Sequence, residues 1–264
     1  MKDYSPSKRK LKDRVRWKLT DYIRRFVRPR SKWTYITLGG PQLFDVKRLL
    51  EALDPPQYPN QIISCYQNPR DDQESAREAI KVAERNANEL QRRHSLRSGI
   101  SIIPGTVEGL ALDDIQPGNM VVMFLDFERS VSSHLHEIAA CVSAGLLKPR
   151  DFLFVTSCVN EKFVDGNRQF RVKAAERVAA YVGTIPVKKV TTDLILRYHD
   201  FYLIWETVRT ASFQTADRRL DCRPLGPLLV YKDTVRMLWL PLRIVHNSPT
   251  TSPSHPRLQY LRRA

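Results

Sequence analysis

From Trp33 onward the chain alternates short apolar runs with helix-length amphipathic segments, and this alternation constrains the fold more than any other feature. The runs are Trp33 to Leu38, Gln61 to Tyr66, Gly99 to Ile103, Asn119 to Phe124 and Asp151 to Val159. The fourth is almost continuously apolar, as expected of a strand covered on both faces. Between the runs, the pattern predicts a helix over Gln42 to Leu53 and a longer one with Ala76, Ile80, Ala83, Ala87 and Leu90 on one face. A third helix, capped by Ser130 and ended at Gly145, carries Val131, Leu135, Ile138 and Val142. Five such units in succession predict an α/β fold with a doubly wound, mostly parallel sheet.

After Val159 the pattern changes. Arg168 to Val182 and Thr191 to Thr210 read as helices, the second with Leu194, Tyr198, Phe201, Trp205 and Val208 on one stripe, and together they suggest a helical insertion near 165–225. Pro227 to Tyr231 and Val235 to Val245 flank Lys232-Asp233-Thr234, the pattern of an antiparallel hairpin that closes the sheet. The α/β domain is thus expected over 33–246. Pro249, Pro253 and Pro256, set among Ser and Thr, mark 247–264 as a flexible basic tail.

Charge is concentrated at the ends. Residues 1–32 hold 13 Lys+Arg against 3 Asp+Glu, and Arg257, Arg262 and Arg263 add three more cations, so most of the net +15 lies outside the α/β domain. Within 1–32, Leu11, Val15, Leu19, Tyr22 and Phe26 recur at helical spacing, with Ile23 and Val27 widening the stripe and Pro29 ending it. Lys10, Arg14, Trp17 and Arg24 fall on the opposite face. A basic amphipathic helix of this kind docks by its apolar side and offers cations for phosphates and an indole for a base. Arg14, Trp17, Arg24 and Arg25 are therefore candidate contacts to RNA or DNA. A solvated basic face with Trp17 tucked under a loop is an equal alternative, and a membrane-surface helix is a third.

Other classes are disfavoured. No apolar run approaches the roughly 18 residues of a transmembrane segment. Cys65, Cys141, Cys158 and Cys222 are far apart and form no CxxC; without a signal-peptide core they read as reduced thiols of a cytoplasmic protein. His134 and His136 fall on different sides of a helix, so no metal is expected. Neither a phosphate-cradling glycine loop ending in Lys-Ser/Thr nor a Gly-x-Ser-x-Gly elbow is present.

The stretch Tyr35-Ile36-Thr37-Leu38-Gly39-Gly40, followed by Leu43-Phe44-Asp45-Val46, resembles the divergent, Rossmann-like class I S-adenosylmethionine-dependent methyltransferases, and in particular a group of poorly characterised bacterial methyltransferase-like proteins. The resemblance spans roughly Trp33 to Val245. It implies S-adenosylmethionine as cofactor, with Thr37, Gly39 and Gly40 in the loop after the first strand and Gln67 after the second. It places Leu125-Asp126-Phe127-Glu128 beside the transferred methyl group, with Asp126 and Glu128 as candidate catalytic acids and Asp126 and Phe127 against the cofactor. The loop departs from the family in having two adjacent glycines followed by Pro41. Cys65-Tyr66-Gln67-Asn68 also lacks the acid that would hold the ribose, for which Asp71 or Asp72 is the substitute.

Two functions follow. One is methyl transfer to a polyanionic substrate, with nucleic acid as the candidate, held by the basic helix. The other is a catalytically degenerate scaffold that binds nucleic acid or a protein partner within a larger complex.

Overall fold

The computed structural model describes residues 6–66, 73–127, 130–159, 192–213, 219–232, 236–246 and 258–261, together with 172 and 176. The elements are α1 (Pro6–Phe26), β1 (Trp33–Leu38), α2 (Phe44–Ala52), β2 (Gln61–Tyr66), α3 (Gln73–His94), β3 (Ile100–Pro104), β4 (Met120–Asp126), α4 (Leu135–Ser143) and β5 (Phe152–Val159). They continue as α5 (Thr192–Phe213), β6 (Leu220–Pro224), β7 (Leu228–Lys232), β8 (Arg236–His246) and β9 (Leu258–Leu261). Among the described residues the strands join one sheet in the order β3-β2-β1-β4-β5-β8-β7-β9, with β6 also on β8. The first five are parallel; β8 runs antiparallel to β5, β6 and β7. This is the doubly wound, mostly parallel sheet with a C-terminal antiparallel hairpin that the alternation predicts, preceded by the basic helix.

Strand alternation sorts side chains into two apolar layers. On one face Tyr35, Val122, Phe124, Phe152, Phe154 and Trp239 pack beneath α1, α2 and α3. On the other, Ile36, Met123, Leu125, Leu153, Val155 and Leu240 pack beneath α4 and α5. Helix α1 is a full member of the first layer: Val15, Leu19 and Ile23, with Val27 just past its end, are each at most 2% exposed. Burying such side chains is worth about 1.5–3 kcal/mol apiece.

Several boundaries differ from the sequence expectation. Helix α2 starts at Phe44, because Leu43 takes a left-handed conformation (φ 47°) and is fully buried. Ser130 makes no N-capping bond; a 3-10 turn over Val131–Ser133 intervenes before α4. Gly145 does end α4, with φ 73°, its N–H donating to Val142 O and that of Leu146 to Cys141 O. The stretch read as a helical insertion finishes in a strand, β6, and its middle, including Arg168 to Val182 apart from helical residues 172 and 176, lies outside the described residues. Phe201 to Trp205 of α5 are all buried, so this helix belongs to the core beside the sheet instead of presenting a single stripe. Residues 258–261, expected in the flexible tail, pair in parallel with β7.

Strands β6 and β7 share one edge of β8. Pro224 faces Leu242 whereas Leu229 faces Trp239, so five steps on one side match three on the other. The two extra residues bulge at Leu225-Gly226-Pro227, and α1 rests on that bulge: a Cβ on Gly226 would lie well under 3.0 Å from Tyr22 Oη.

Candidate functional site at the carboxyl edge of the sheet

The strand order reverses between β1 and β4, which makes their carboxyl ends the topological switch point where open α/β sheets bind ligands. Thr37 faces Phe124, so Gly39 and Asp126 follow two residues beyond that pair on either side of the switch. The two glycines differ in role. Gly39 is buried, donates its N–H to Cys65 O (3.1 Å) and has no space for a side chain, since a Cβ would overlap Ser64 Oγ of β2. Gly40 is exposed, and a Cβ there would meet nothing within 4 Å. The turn closes as Leu43 N–H donates to Gly40 O (3.0 Å), and Leu43, the N-cap residue of α2, supplies no side-chain cap. The site thus offers open backbone at Gly40 beside the first turn of α2, where the Asp45 carboxyl accepts its own N–H.

Polar groups converge where this edge meets α1. Thr37 donates its hydroxyl to Asp45 Oδ2, which also accepts from Tyr35 Oη at 3.3 Å. Burial pushes the Asp45 carboxyl above the ordinary carboxylate range, opposed by the Thr37 hydrogen bond and the Arg16 guanidinium. Thr156, from the neighbouring end of β5, donates to Asp126 Oδ1, and Lys12 Nζ lies 3.5 Å from Asp126 Oδ2. Arg16 also holds Asp13 at 3.0 Å. The N-terminal half of α1 therefore lies across the edge, with Lys12 on the β4 acid.

On the other face the chemistry is internal. Phe127 is 2% exposed and stacks on the His134 ring (centroids 4.2 Å, planes 7° apart), while His134 Nδ1 pairs with Glu137 at 2.7 Å. Expected against a cofactor, Phe127 is instead part of the apolar layer under α4. Ser157 Oγ donates to Asp200 Oδ2 (2.9 Å), whose other oxygen meets His199 Nδ1 at 3.1 Å. With the carboxylate between hydroxyl and imidazole, no proton passes from Ser157 to His199, so these three do not form an activated nucleophile. Burial pushes the thiols of Cys65 and Cys141 up to about 12.

Of the candidates read from sequence, Thr37, Gly39, Gly40 and Asp126 gather at the switch point; Gln67, Glu128, Asp71 and Asp72 lie outside the described residues. On α1, Arg14 and Arg25 are exposed and Trp17 is 42% exposed, so the indole is not tucked under a loop. Arg24 instead donates its guanidinium to the carbonyl of Ala52, at the end of α2, where it satisfies a helix terminus. Sequence reasoning missed Lys12, Arg16, Asp45 and Thr156. Asp45 carried the only signal, as the acid within Leu43-Phe44-Asp45-Val46.

No protein-family model and no curated protein matches the chain. Solved structures do resemble it. A "possible exported protein" of Bordetella parapertussis shares 14% identity over 87% of this chain and 67% of its own, with a TM-score of 0.46. The O-methyltransferase TomG of Streptomyces achromogenes, solved with S-adenosylmethionine, shares 9% over 88% and 79% (TM-score 0.42). A Bacillus cereus O-methyltransferase, solved with S-adenosylhomocysteine, shares 9% over 92% and 82% (TM-score 0.42). The fold assignment rests on the strand order itself. Among the described residues, no helix is long and apolar enough to cross a membrane.

Proposed function

We propose that this chain binds S-adenosylmethionine at the β1/β4 switch point and transfers its methyl group to a polyanionic substrate held by α1. The observation that supports this reading is the pairing of open backbone at Gly40 with the Asp126 carboxylate at the point where the strand order reverses. The residues suit the amino-acid end of that cofactor. Gly40 leaves room for close approach beside the N-terminus of α2, where the helix dipole suits a carboxylate and the N-cap residue Leu43 supplies no side-chain cap. Bound there, the cofactor supplies an electrophilic methyl group on sulfonium. The chain's part is alignment: Thr156 fixes the Asp126 carboxylate, and Asp126 orients or deprotonates the acceptor.

A second reading, the degenerate scaffold, draws support from the internal use of several candidates. Thr37 is tied to Asp45, Gly39 is filled from behind by Ser64, Phe127 is core, and Asp126 holds Lys12. Calorimetric titration with S-adenosylmethionine and S-adenosylhomocysteine separates the two. Micromolar binding that weakens in Gly40→Val supports the cofactor site, and absence of binding leaves the scaffold. Asp126→Asn should keep cofactor affinity within a few-fold while lowering turnover; unchanged turnover removes Asp126 from the chemistry.

A further inference from the structure

The outer face of α1 and α2 carries a feature that neither helix holds alone. Trp17 and Phe44 are both 42% exposed, although the other three tryptophans, Trp33, Trp205 and Trp239, are at most 5% exposed. The two exposed rings are bound crosswise. Arg16, next to Trp17, lies over Phe44 at 5.8 Å, and Arg48, one turn beyond Phe44, lies over Trp17 at 5.7 Å. Asp13 bridges the pair, holding Arg16 at 3.0 Å and Arg48 at 3.6 Å. A guanidinium thus lies over each ring, while a large part of each side chain stays in solvent.

Surrounding charge selects the occupant. Residues 12–30 contain eight Lys+Arg and two Asp+Glu, and Arg14, Arg24, Arg25, Arg28 and Arg30 are all exposed. A surface of this sign repels basic partners and attracts a polyanion. Fixed aromatic rings add what a duplex cannot use, because its bases are already stacked; unpaired bases can lie on Trp17 and Phe44 while cations track their phosphates. The patch also adjoins the switch point: Arg16, which covers Phe44, acts on Asp45, and Lys12, one turn before Arg16, holds Asp126.

We propose that Trp17 and Phe44 form a two-ring stacking platform for single-stranded nucleic acid, leading the strand over α1 and α2 toward the Asp126 edge. This rests on the polyanion part of the functional reading and deepens it to a substrate class with unpaired bases.

The test is fluorescence anisotropy of labelled single strands of about 12 nucleotides, RNA and DNA, beside a duplex of equal length, at several salt concentrations. Trp17→Ala and Phe44→Ala should each weaken single-strand binding by roughly five- to 150-fold while leaving duplex binding nearly unchanged. Phe213, 55% exposed under Arg219 at the end of α5, supplies the control: Phe213→Ala should bind as the parent does. In the parent, bound strand should quench tryptophan fluorescence, and Trp17→Ala should abolish the quenching. Because both rings are exposed, the variants should keep the parent's thermal midpoint, and a shared midpoint licenses the comparison. Equal affinity of parent and both alanine variants for single strands overturns the proposal. So does equal loss for single strand and duplex, or binding only to anionic vesicles or proteins. Titration of the same preparations with S-adenosylhomocysteine keeps the failures distinct: cofactor binding without strand binding sinks the platform alone, and strand binding without cofactor binding sinks the switch-point reading alone.

Discussion

Gly226→Ala tests whether α1 is an integral part of the fold or an appendage. The new Cβ would lie well under 3.0 Å from Tyr22 Oη and 3.2 Å from Tyr22 Cζ. The ring has little freedom to swing aside, because Phe26 stacks on it at 5.9 Å while Phe154 and Trp239 meet it edge-on at 6.1 and 5.5 Å. Either α1 lifts from the sheet or the bulge deforms, and overpacking of this kind costs about 1–3 kcal/mol. Tyr22→Phe removes the clashing oxygen and leaves the 3.2 Å approach, which a shift of a few tenths of an ångström relieves. On that background Gly226→Ala should be neutral or slightly stabilising, since alanine restricts the unfolded chain by about 0.4–1 kcal/mol. Urea unfolding of the four proteins gives the coupling directly, and at least about 1 kcal/mol is expected. Coupling below about 0.5 kcal/mol would refute the reasoning, because then α1 does not press on the bulge.

Gly39→Ala should destabilise the fold through Ser64, and Ser64→Ala should restore most of the loss by removing the oxygen that the new Cβ meets; thermal melts of the single and double variants check this. Asp45 should make stability fall with rising pH. Its carboxyl is raised by burial above the ordinary 3.8, so the unfolded chain releases its proton first, and the stabilisation present at lower pH is lost as pH climbs through the folded value. Asp45→Asn should flatten that part of the stability-pH curve, measured by urea unfolding from pH 3.5 upward in steps of about half a unit. All four thiols are pushed up by burial, but Cys65, Cys141 and Cys222 are buried whereas Cys158 is only partly so. Iodoacetamide on the native protein should therefore modify Cys158 alone, read by peptide mass spectrometry; modification of Cys141 at a similar rate would contradict its packing.

Local periodicity carried most of the architecture. Of the helical stripe read as Leu11, Val15, Leu19, Tyr22 and Phe26 widened by Ile23 and Val27, the residues Val15, Leu19, Ile23 and Val27 are buried and Tyr22 and Phe26 are half-buried. The five apolar runs became β1 to β5, of which the inner four are covered on both faces while β3, at the sheet edge, has no fully buried residue. The hairpin was legible too, since two β-rich runs around a short polar turn have few other ways to pair. Strand β6 was not legible, because Leu220-Asp221-Cys222-Arg223-Pro224 has little β pattern of its own and becomes a strand by pairing with the second half of β8. The sequence marked Gly39, Gly40 and Asp126 as neighbours of one edge. Contacts between distant residues then divided their roles: Ser64 occupies the space behind Gly39, open solvent lies beside Gly40, and Lys12 reaches Asp126 from α1. Phe127 left the expected site for the same reason, as a ring one residue past Asp126 points to the opposite face and finds His134. Propensity and period act within a few residues, so the chain declares its helices, strands and apolar faces by itself. Which glycine is filled, which acid is paired and which rings share a surface depend on approaches between residues far apart in sequence, and only tertiary packing sets those distances.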